Sequence, residues 1–323
     1  MDDRFMTELR EEPTPAFSGA LRARLRRAAP VPRHKLAWRP AVAAVAAVAV
    51  VAGLFAFPSV RASAQAVLDL FRVRNFAPVS FDPTRFDKLR GTARDNPTEM
   101  FGKAEVLQDP GQPVVVPNTA AASARAGIDV REVRDLSGGM RLDSIWVAGA
   151  GVARFTASVP RLQDALQTLG INDVTVPANL DGKAVTVHKP PIVVQRYKND
   201  RRRAVLLQAR SPEVELPAGV DLSELAEIGM RILGLDRHEA HQLARSVDWH
   251  STLLVPVPQN ASSFRRVEVH GQPGLMVTMR EGATKERRGR DGTMVLWSEG
   301  DRVYALNGDL DQTDMLAMAE SVR

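Results

Sequence analysis

The stretch MVLWSEGDRVYALNG, residues 294–308, has the pattern of a β-hairpin and is the clearest indication of the fold class. Two segments rich in apolar and aromatic residues flank a Glu-Gly-Asp turn at 299–301. A short polar turn that contains glycine, placed between two such segments, is typical of paired antiparallel strands. Trp297 and Tyr304 lie on opposite sides of this turn, and we expect both to mark the core of the domain.

More short strands precede the hairpin. Alternating apolar residues bounded by turn residues predict strands at 128–133, 142–147, 152–159, 184–188, 192–197, 204–209, 253–257, 267–270 and 275–279. Amphipathic patterns predict helices at 161–169, 222–233, 237–246 and 312–322. Because the strands come in runs with helices between the runs, the sequence predicts an α+β domain on an antiparallel sheet rather than a βαβ repeat.

Seventeen consecutive uncharged residues at 41–57, eight Ala and five Val among them, predict a membrane span. As a helix this run is about 26 Å long, and flanking apolar residues extend it towards the roughly 30 Å of a bilayer core. We therefore expect one transmembrane helix at 38–58. Seven Lys and Arg residues lie in the segment 22–39 and few follow the span, so the positive-inside rule places the N-terminus in the cytoplasm.

Two other interpretations of this apolar run remain open. The first is a signal peptide cleaved after Ala62-Ser63-Ala64, which resembles a small-residue cleavage site. The second is an Ala/Val-rich helix buried in a soluble domain. The long preceding segment with acidic residues and the length of the apolar run favour the membrane span over both.

The predicted organisation has four parts. A basic cytoplasmic tail occupies 1–37 and the transmembrane helix 38–58. A proline-punctuated stalk or linker follows at 59–113, and an extracytoplasmic α+β domain, with the character of a sensor, occupies 114–323.

The tail carries a short apolar stripe formed by Phe17, Leu21 and Leu25, which recur every four residues opposite arginines. One interpretation is a helix that docks on a cytoplasmic partner. The other is a basic amphipathic helix that lies on anionic lipid. These three residues are the candidate partner-binding site of the chain.

The distribution of charge excludes one class of partner. Residues 1–39 contain nine basic and five acidic residues, so they carry four of the five net positive charges of the chain. The remaining 284 residues are close to neutral, whereas a nucleic-acid-binding domain carries a basic face on its folded part. We therefore expect no nucleic-acid partner. The chain contains no cysteine, which excludes disulfides and thiolate chemistry.

The motifs of catalysis and cofactor binding are not found in the sequence, so we predict a protein that is not an enzyme and holds no cofactor or metal. His238, His241 and His250 with Glu239 invite a zinc site, but the histidines do not have the spacing of the H-E-x-x-H motif. No serine lies in a G-x-S-x-G elbow and no glycine-rich phosphate loop follows a strand. Asp309 and Asp311 precede the last helix, where an acidic residue caps the helix.

The C-terminal residues resemble a known group of proteins. The hairpin at 294–308, the helix with LAMAESV at 316–322 and the preceding segment VEVHGQPG at 267–274 are similar to the end of an uncharacterised extracytoplasmic domain of bacterial membrane proteins, often attached to anti-sigma factors. The tail resembles the same group through Pro13, Pro15 and Phe17 ahead of an arginine-rich helix. It differs from zinc-type sigma-binding domains because it lacks a His/Cys motif.

This resemblance implies a curved antiparallel sheet with helices packed on it, outside the membrane. It also implies a non-enzymatic membrane regulator or sensor, anti-sigma-factor-like, with an extracytoplasmic domain that perceives a ligand or the state of the envelope. The expected partners are the membrane, a cytoplasmic sigma factor or other regulator, and an extracytoplasmic ligand. The alternative function is a membrane-tethered binding module for an apolar ligand or cell-wall fragment, with no cytoplasmic signalling role.

Overall fold

A computed structural model of the chain describes residues 73–92, 100–217, 219–249, 251–259, 262–279 and 292–323. The predicted tail with Phe17, Leu21 and Leu25, and the predicted span at 38–58, lie outside the described residues. Within the described part of the chain, the helices are all too short or too polar to cross a bilayer.

Strands and helices alternate irregularly along the described residues. The strands are β1 (Asn75–Phe81), β2 (Gly102–Gln108), β3 (Val114–Val116), β4 (Arg141–Ala148), β5 (Gly151–Ala157), β6 (Ala184–Lys189), β7 (Ile192–Lys198), β8 (Arg203–Arg210), β9 (Glu213–Glu215), β10 (Thr252–Pro258), β11 (Ser262–Val269), β12 (Gln272–Met279), β13 (Gly292–Glu299) and β14 (Arg302–Gly308). The helices are α1 (Pro83–Thr92), α2 (Thr119–Ala126), α3 (Val159–Thr168), α4 (Leu222–Leu233), α5 (Arg237–Ser246) and α6 (Gln312–Glu320).

The strands form three sheets. Eight of them make an antiparallel sheet in the order β11-β12-β13-β14-β8-β7-β4-β3, and four make a second antiparallel sheet in the order β2-β5-β6-β9. The third sheet is the parallel pair β1-β10. The predicted α+β class with antiparallel sheets is confirmed. So is the C-terminal hairpin, in which Trp297 pairs with Tyr304 across β13 and β14.

Strands of one antiparallel sheet continue along the chain into strands of the other. Ala148 pairs with Ile192 in the eight-stranded sheet, and Gly151 pairs with Lys189 in the four-stranded sheet, in the same register. β4 and β5 therefore form one extended segment, which pairs with a second extended segment formed by β6 and β7. The pairing is interrupted at Pro190-Pro191. Proline has no N–H to donate, which explains why the ladder is interrupted here. β8 and β9 continue one another in the same way.

A glycine permits a close backbone approach at this break. A Cβ atom on Gly149 would lie 2.5 Å from the carbonyl oxygen of Pro110, a distance that real Cβ contacts do not show. The segment between β2 and β3 therefore lies directly against the interruption between β4 and β5. Only glycine provides the space for that contact.

Helix α6 covers one face of the eight-stranded sheet. Trp297 and Tyr304 are fully buried beneath it, with their ring centroids 4.9 Å apart and the rings nearly parallel. Met315 and Met318 of the helix pack into the same apolar cluster. The expectation that the two aromatic residues mark the core is therefore confirmed.

Helix α4 is buried on two sides. Ala226 and Met230 belong to a cluster that includes residues of β1 and β10, whereas Ile228 and Ile232 belong to a cluster with α3 and β5. All four helices predicted from the sequence are present, with bounds that differ by at most two residues. Strong amphipathic periodicity explains why these elements were recognisable.

Two predictions are wrong. The predicted strand at 128–133 is an irregular segment in which Val133 alone forms a bridge, to Val322. Its alternating pattern reflects the burial of Ile128 and Val130 against α2. The stalk predicted at 59–113 contains β1, α1 and β2 in its described part, and β1 pairs with the distant β10. Pro78 lies within β1 and Pro83 begins α1, although both prolines suggested a linker.

Candidate functional site

An apolar cavity lies between the four-stranded sheet and α4. The sheet side is formed by Phe155 and Val185, and the helix side by Ile228, Gly229 and Ile232. The cavity has a volume of about 60 Å³. A polar cavity of this volume holds a few water molecules. A cavity lined by aliphatic and aromatic groups stays dry or takes up an apolar group.

The sequence of α4 places its cavity-facing residues on one side of the helix. Leu225, Gly229 and Ile232 line the cavity and are spaced four and three residues apart, which aligns them along one helix face. Asp221 begins the helix by accepting a hydrogen bond from the N–H of Ser223 at 2.8 Å. Gly234, with a φ of 116°, ends it in the left-handed conformation.

Gly229 is the residue that leaves room on the helix side. Glycine inside a helix costs about 1 kcal/mol relative to alanine, because the unfolded chain loses more backbone freedom. At this position it contributes no side chain to the wall. A residue with a poor helix propensity is therefore located in the wall of the cavity.

Lys183 is the one charged residue among those that line the cavity. It precedes β6, and its side chain is partly exposed. The lining is almost wholly apolar, so Lys183 contributes the aliphatic part of its side chain to the wall. The wall is therefore suited to contact with an apolar group.

A second feature is a polar cluster at the end of the eight-stranded sheet where β11 turns into β12 and where β13 ends. Glu299 of β13 accepts hydrogen bonds from Trp297 Nε1 at 3.1 Å and from the guanidinium of Arg131. The imidazole Nδ1 of His270 lies 2.7 Å from Glu299 Oε1, and its Nε2 lies 2.7 Å from the carbonyl oxygen of Glu320. The cluster thus joins the β11–β12 turn, β13, α6 and the segment before β4.

His270 has an unusual backbone conformation. Its φ is 51°, and among the described residues other than glycine it alone has a positive φ. With Gly271 at a φ of 69° it forms the two-residue turn between β11 and β12, the type I′ geometry that normally selects asparagine or aspartate. A histidine held in this conformation indicates that its side chain has a role that outweighs the backbone cost.

The cluster shifts the protonation of its members. Burial disfavours the charged imidazole, but the hydrogen bonds to Glu299 and to the Glu320 carbonyl outweigh burial and raise the pKa of His270 above its usual value. Burial also opposes the charge of Glu299, yet the hydrogen bonds from His270 and Arg131 lower the pKa of that carboxyl.

The buried Gln208 holds the main chain of Arg131 in place. Gln208 accepts a hydrogen bond from the Arg131 N–H at 2.9 Å and donates to the Arg131 carbonyl oxygen at 2.7 Å. Gln208 also donates to Gln195 at 2.7 Å. The guanidinium of Arg131 lies over the ring of Tyr304, 5.6 Å from its centroid. These contacts fix the cation that faces Glu299.

Two of the histidines considered for a metal site lie on one helix, and one of them contacts a carboxylate. His238 and His241 lie on the exposed side of α5, while Ala240 and Ala244 pack inward, and His241 Nδ1 lies 2.8 Å from Glu227. His250 is outside the described residues. Across the described part of the chain, no group of three His, Cys, Asp or Glu side chains has the arrangement of a metal site. Asp311 caps α6 as predicted, accepting from the Asp314 N–H at 2.8 Å.

Sequence reasoning missed both features. The cavity is assembled by elements far apart in the chain, and only the glycine within α4 could have pointed to it. The polar cluster had one local indication, the His-Gly pair in a hairpin turn at 270–271. Comparison of the chain with protein-family models, curated proteins and solved structures gives no match.

Proposed function

We propose that this chain is a non-enzymatic, single-pass membrane regulator or sensor, anti-sigma-factor-like, with its N-terminus in the cytoplasm and its α+β domain outside. The observation that carries the sensing role is the apolar cavity between the four-stranded sheet and α4. The membrane location rests on the uncharged run at 41–57 and on the excess of basic residues before it.

The cavity supports ligand binding through its energetics. An unfilled apolar void costs about 24 cal/mol per Å³, so a space of about 60 Å³ costs the domain on the order of 1 kcal/mol. Each methylene group that enters contributes about 0.8 kcal/mol from burial. The cavity therefore favours the end of an alkyl chain, and the cationic Lys183 favours a negative charge elsewhere on the same ligand.

Two substitutions at Gly229 separate binding from helix stability. Gly229→Ala and Gly229→Leu both improve helix propensity, but only leucine adds enough volume to fill the cavity. Native mass spectrometry of the full chain, extracted from its membrane and titrated with decanoate, measures occupancy. We expect a decanoate adduct with the native chain and with Gly229→Ala, and its loss with Gly229→Leu.

An equal decanoate adduct in all three proteins would place the amphiphile elsewhere, and its absence from the native chain would remove the ligand-sensing role. A Lys183→Gln variant tests the charge. We expect weaker decanoate binding and unchanged binding of decanol, since the alcohol has no negative charge.

The regulatory role is tested on the tail. Residues 1–35 are used as bait in native lysate, beside the same peptide with Phe17→Ala, Leu21→Ala and Leu25→Ala. Capture of a sigma factor by the native peptide alone supports regulation. If both peptides bind only lipid, the second candidate function, a membrane-tethered binding module with no cytoplasmic role, replaces it. That candidate rests on the same cavity.

A further inference from the structure

The contacts of His270 require a particular protonation state. Nδ1 faces a carboxylate oxygen of Glu299 and Nε2 faces the main-chain carbonyl oxygen of Glu320, both at 2.7 Å. Both partners are acceptors, and a neutral imidazole has only one N–H to donate. Only the doubly protonated imidazolium satisfies both contacts. Loss of the proton leaves a ring lone pair facing an oxygen lone pair.

The position of the imidazole at a helix end adds to this preference. Glu320 is the last residue of α6, and its carbonyl oxygen belongs to the negative end of the helix dipole. A positive ring at this point stabilises the helix end, and a neutral ring does not. The main-chain N–H of His270 also donates to the Glu320 carboxylate at 3.0 Å, so the turn and the helix end are joined by two independent contacts.

The charges around the ring are balanced only when it is protonated. Glu299 of β13 and Glu320 of α6 face the imidazole, and Arg131 faces Glu299 from the segment before β4. With the imidazolium present, two positive and two negative groups form the cluster. About a fifth of the His270 side chain is exposed, at 21%, so the ring can exchange its proton with solvent.

The contact between His270 and Glu320 holds residues 320–323 in place. Directly after α6, Val322 bridges Val133, and the main chains of Arg323 and Glu132 exchange two hydrogen bonds at 2.9 Å. These bonds extend from the helix end that His270 holds. Weakening the His270 contact therefore loosens residues 320–323 together with their partners at 131–134.

We propose that His270 is a proton-operated latch between the β11–β12 turn and the C-terminal end of α6, closed while the ring is an imidazolium and reduced to the main-chain contact with Glu320 once the ring is neutral. With the domain outside the membrane, as proposed above and on which this statement rests, the latch makes the external pH a second input to the domain. It does not depend on the apolar cavity, which lies on other elements.

The direction of the response follows from the ring chemistry. The folded domain binds the imidazole proton more tightly than the unfolded chain does, so the latch contributes its full stability below about pH 6.5, the usual pKa of histidine. The contribution is lost as the pH rises through the higher pKa of the folded state. Only one proton is involved, so protection can fall by at most about tenfold per pH unit.

The turn offers a substitution that removes the latch and preserves the fold. Asparagine followed by glycine is the preferred sequence of a type I′ turn, so His270→Asn relieves the backbone strain while it removes the imidazolium. His241→Asn is the matched control. His241 also contacts a carboxylate at 2.8 Å, but through one ring nitrogen on an exposed helix face.

Amide hydrogen exchange of the full chain between about pH 5.5 and pH 8.5 tests the proposal, with protection factors corrected for the intrinsic pH dependence of exchange. We expect the amides of residues 321–323 to lose protection steadily as the pH rises over this range in the native chain and in His241→Asn, by no more than about tenfold per pH unit. In His270→Asn they should stay at the low level throughout. Constant protection in the native chain, or a native response in His270→Asn, would overturn the latch.

Discussion

Trp297 and Tyr304 face each other across β13 and β14, and their rings stack at 4.9 Å beneath α6, with neither exposed to solvent. The pair joins the C-terminal hairpin to the helix that covers it. Aromatic side chains of this size contribute more to burial than any other residue type. The stability of the sheet face under α6 therefore depends on this contact.

We predict that Trp297→Ala lowers the free energy of unfolding by about 3–5 kcal/mol, because it leaves a large cavity that the stacked ring and the helix cannot close. Urea unfolding followed by circular dichroism measures the change. Phe264→Ala is the control, since Phe264 is 47% exposed on β11 and its truncation is expected to change the stability by under about 0.5 kcal/mol. Similar losses for both variants would contradict the assigned core.

Two glycine substitutions should have opposite signs. Gly149→Ala is expected to destabilise the domain by about 1–3 kcal/mol, because its Cβ would meet the Pro110 carbonyl oxygen at 2.5 Å. Gly229→Ala lies within a helix and should stabilise it by about 0.5–1 kcal/mol. Midpoints of thermal unfolding compare the two. Stabilisation by Gly149→Ala would mean that the segment between β2 and β3 is displaced at no cost.

The stability of the domain should pass through a maximum between about pH 4.5 and pH 6.5. The lowered pKa of Glu299 makes its contribution present above its usual value and lost as the pH falls further. The raised pKa of His270 makes its contribution present below about pH 6.5 and lost as the pH rises. Glu299→Gln should flatten both sides of this profile, as measured by unfolding midpoints across the pH range. If the Glu299→Gln profile equals the native one, Glu299 and His270 do not cause the pH dependence of stability.

Because the chain contains no cysteine, single cysteines report its topology directly. We predict that a membrane-impermeant maleimide added to intact cells labels Ser263→Cys, which replaces an exposed residue of β11, and does not label Ser18→Cys in the tail. Both should be labelled after lysis, which is the control for reactivity. Labelling of Ser18→Cys in intact cells would reverse the proposed orientation.

Local pattern was enough for the elements whose periodicity is strong. The stripe in α4 and the alternation on both sides of the turn at 299–301 follow from geometry within a few residues, so these elements and the burial of Trp297 could be predicted. β1 had no such pattern, since its strand character comes from pairing with β10, which is remote from it in the sequence. Its prolines therefore suggested a linker.

The amino-acid sequence alone established the α+β class, the four amphipathic helices and the pairing of the last two strands, because each depends on neighbours a few residues apart. Tertiary structure was needed for the rest. It brings Gly229 of α4 opposite Phe155 of β5 to leave a cavity, and it aligns both ring nitrogens of His270 with acceptors on β13 and α6. Such features depend on distances between side chains that are remote in the chain, and no local pattern encodes those distances.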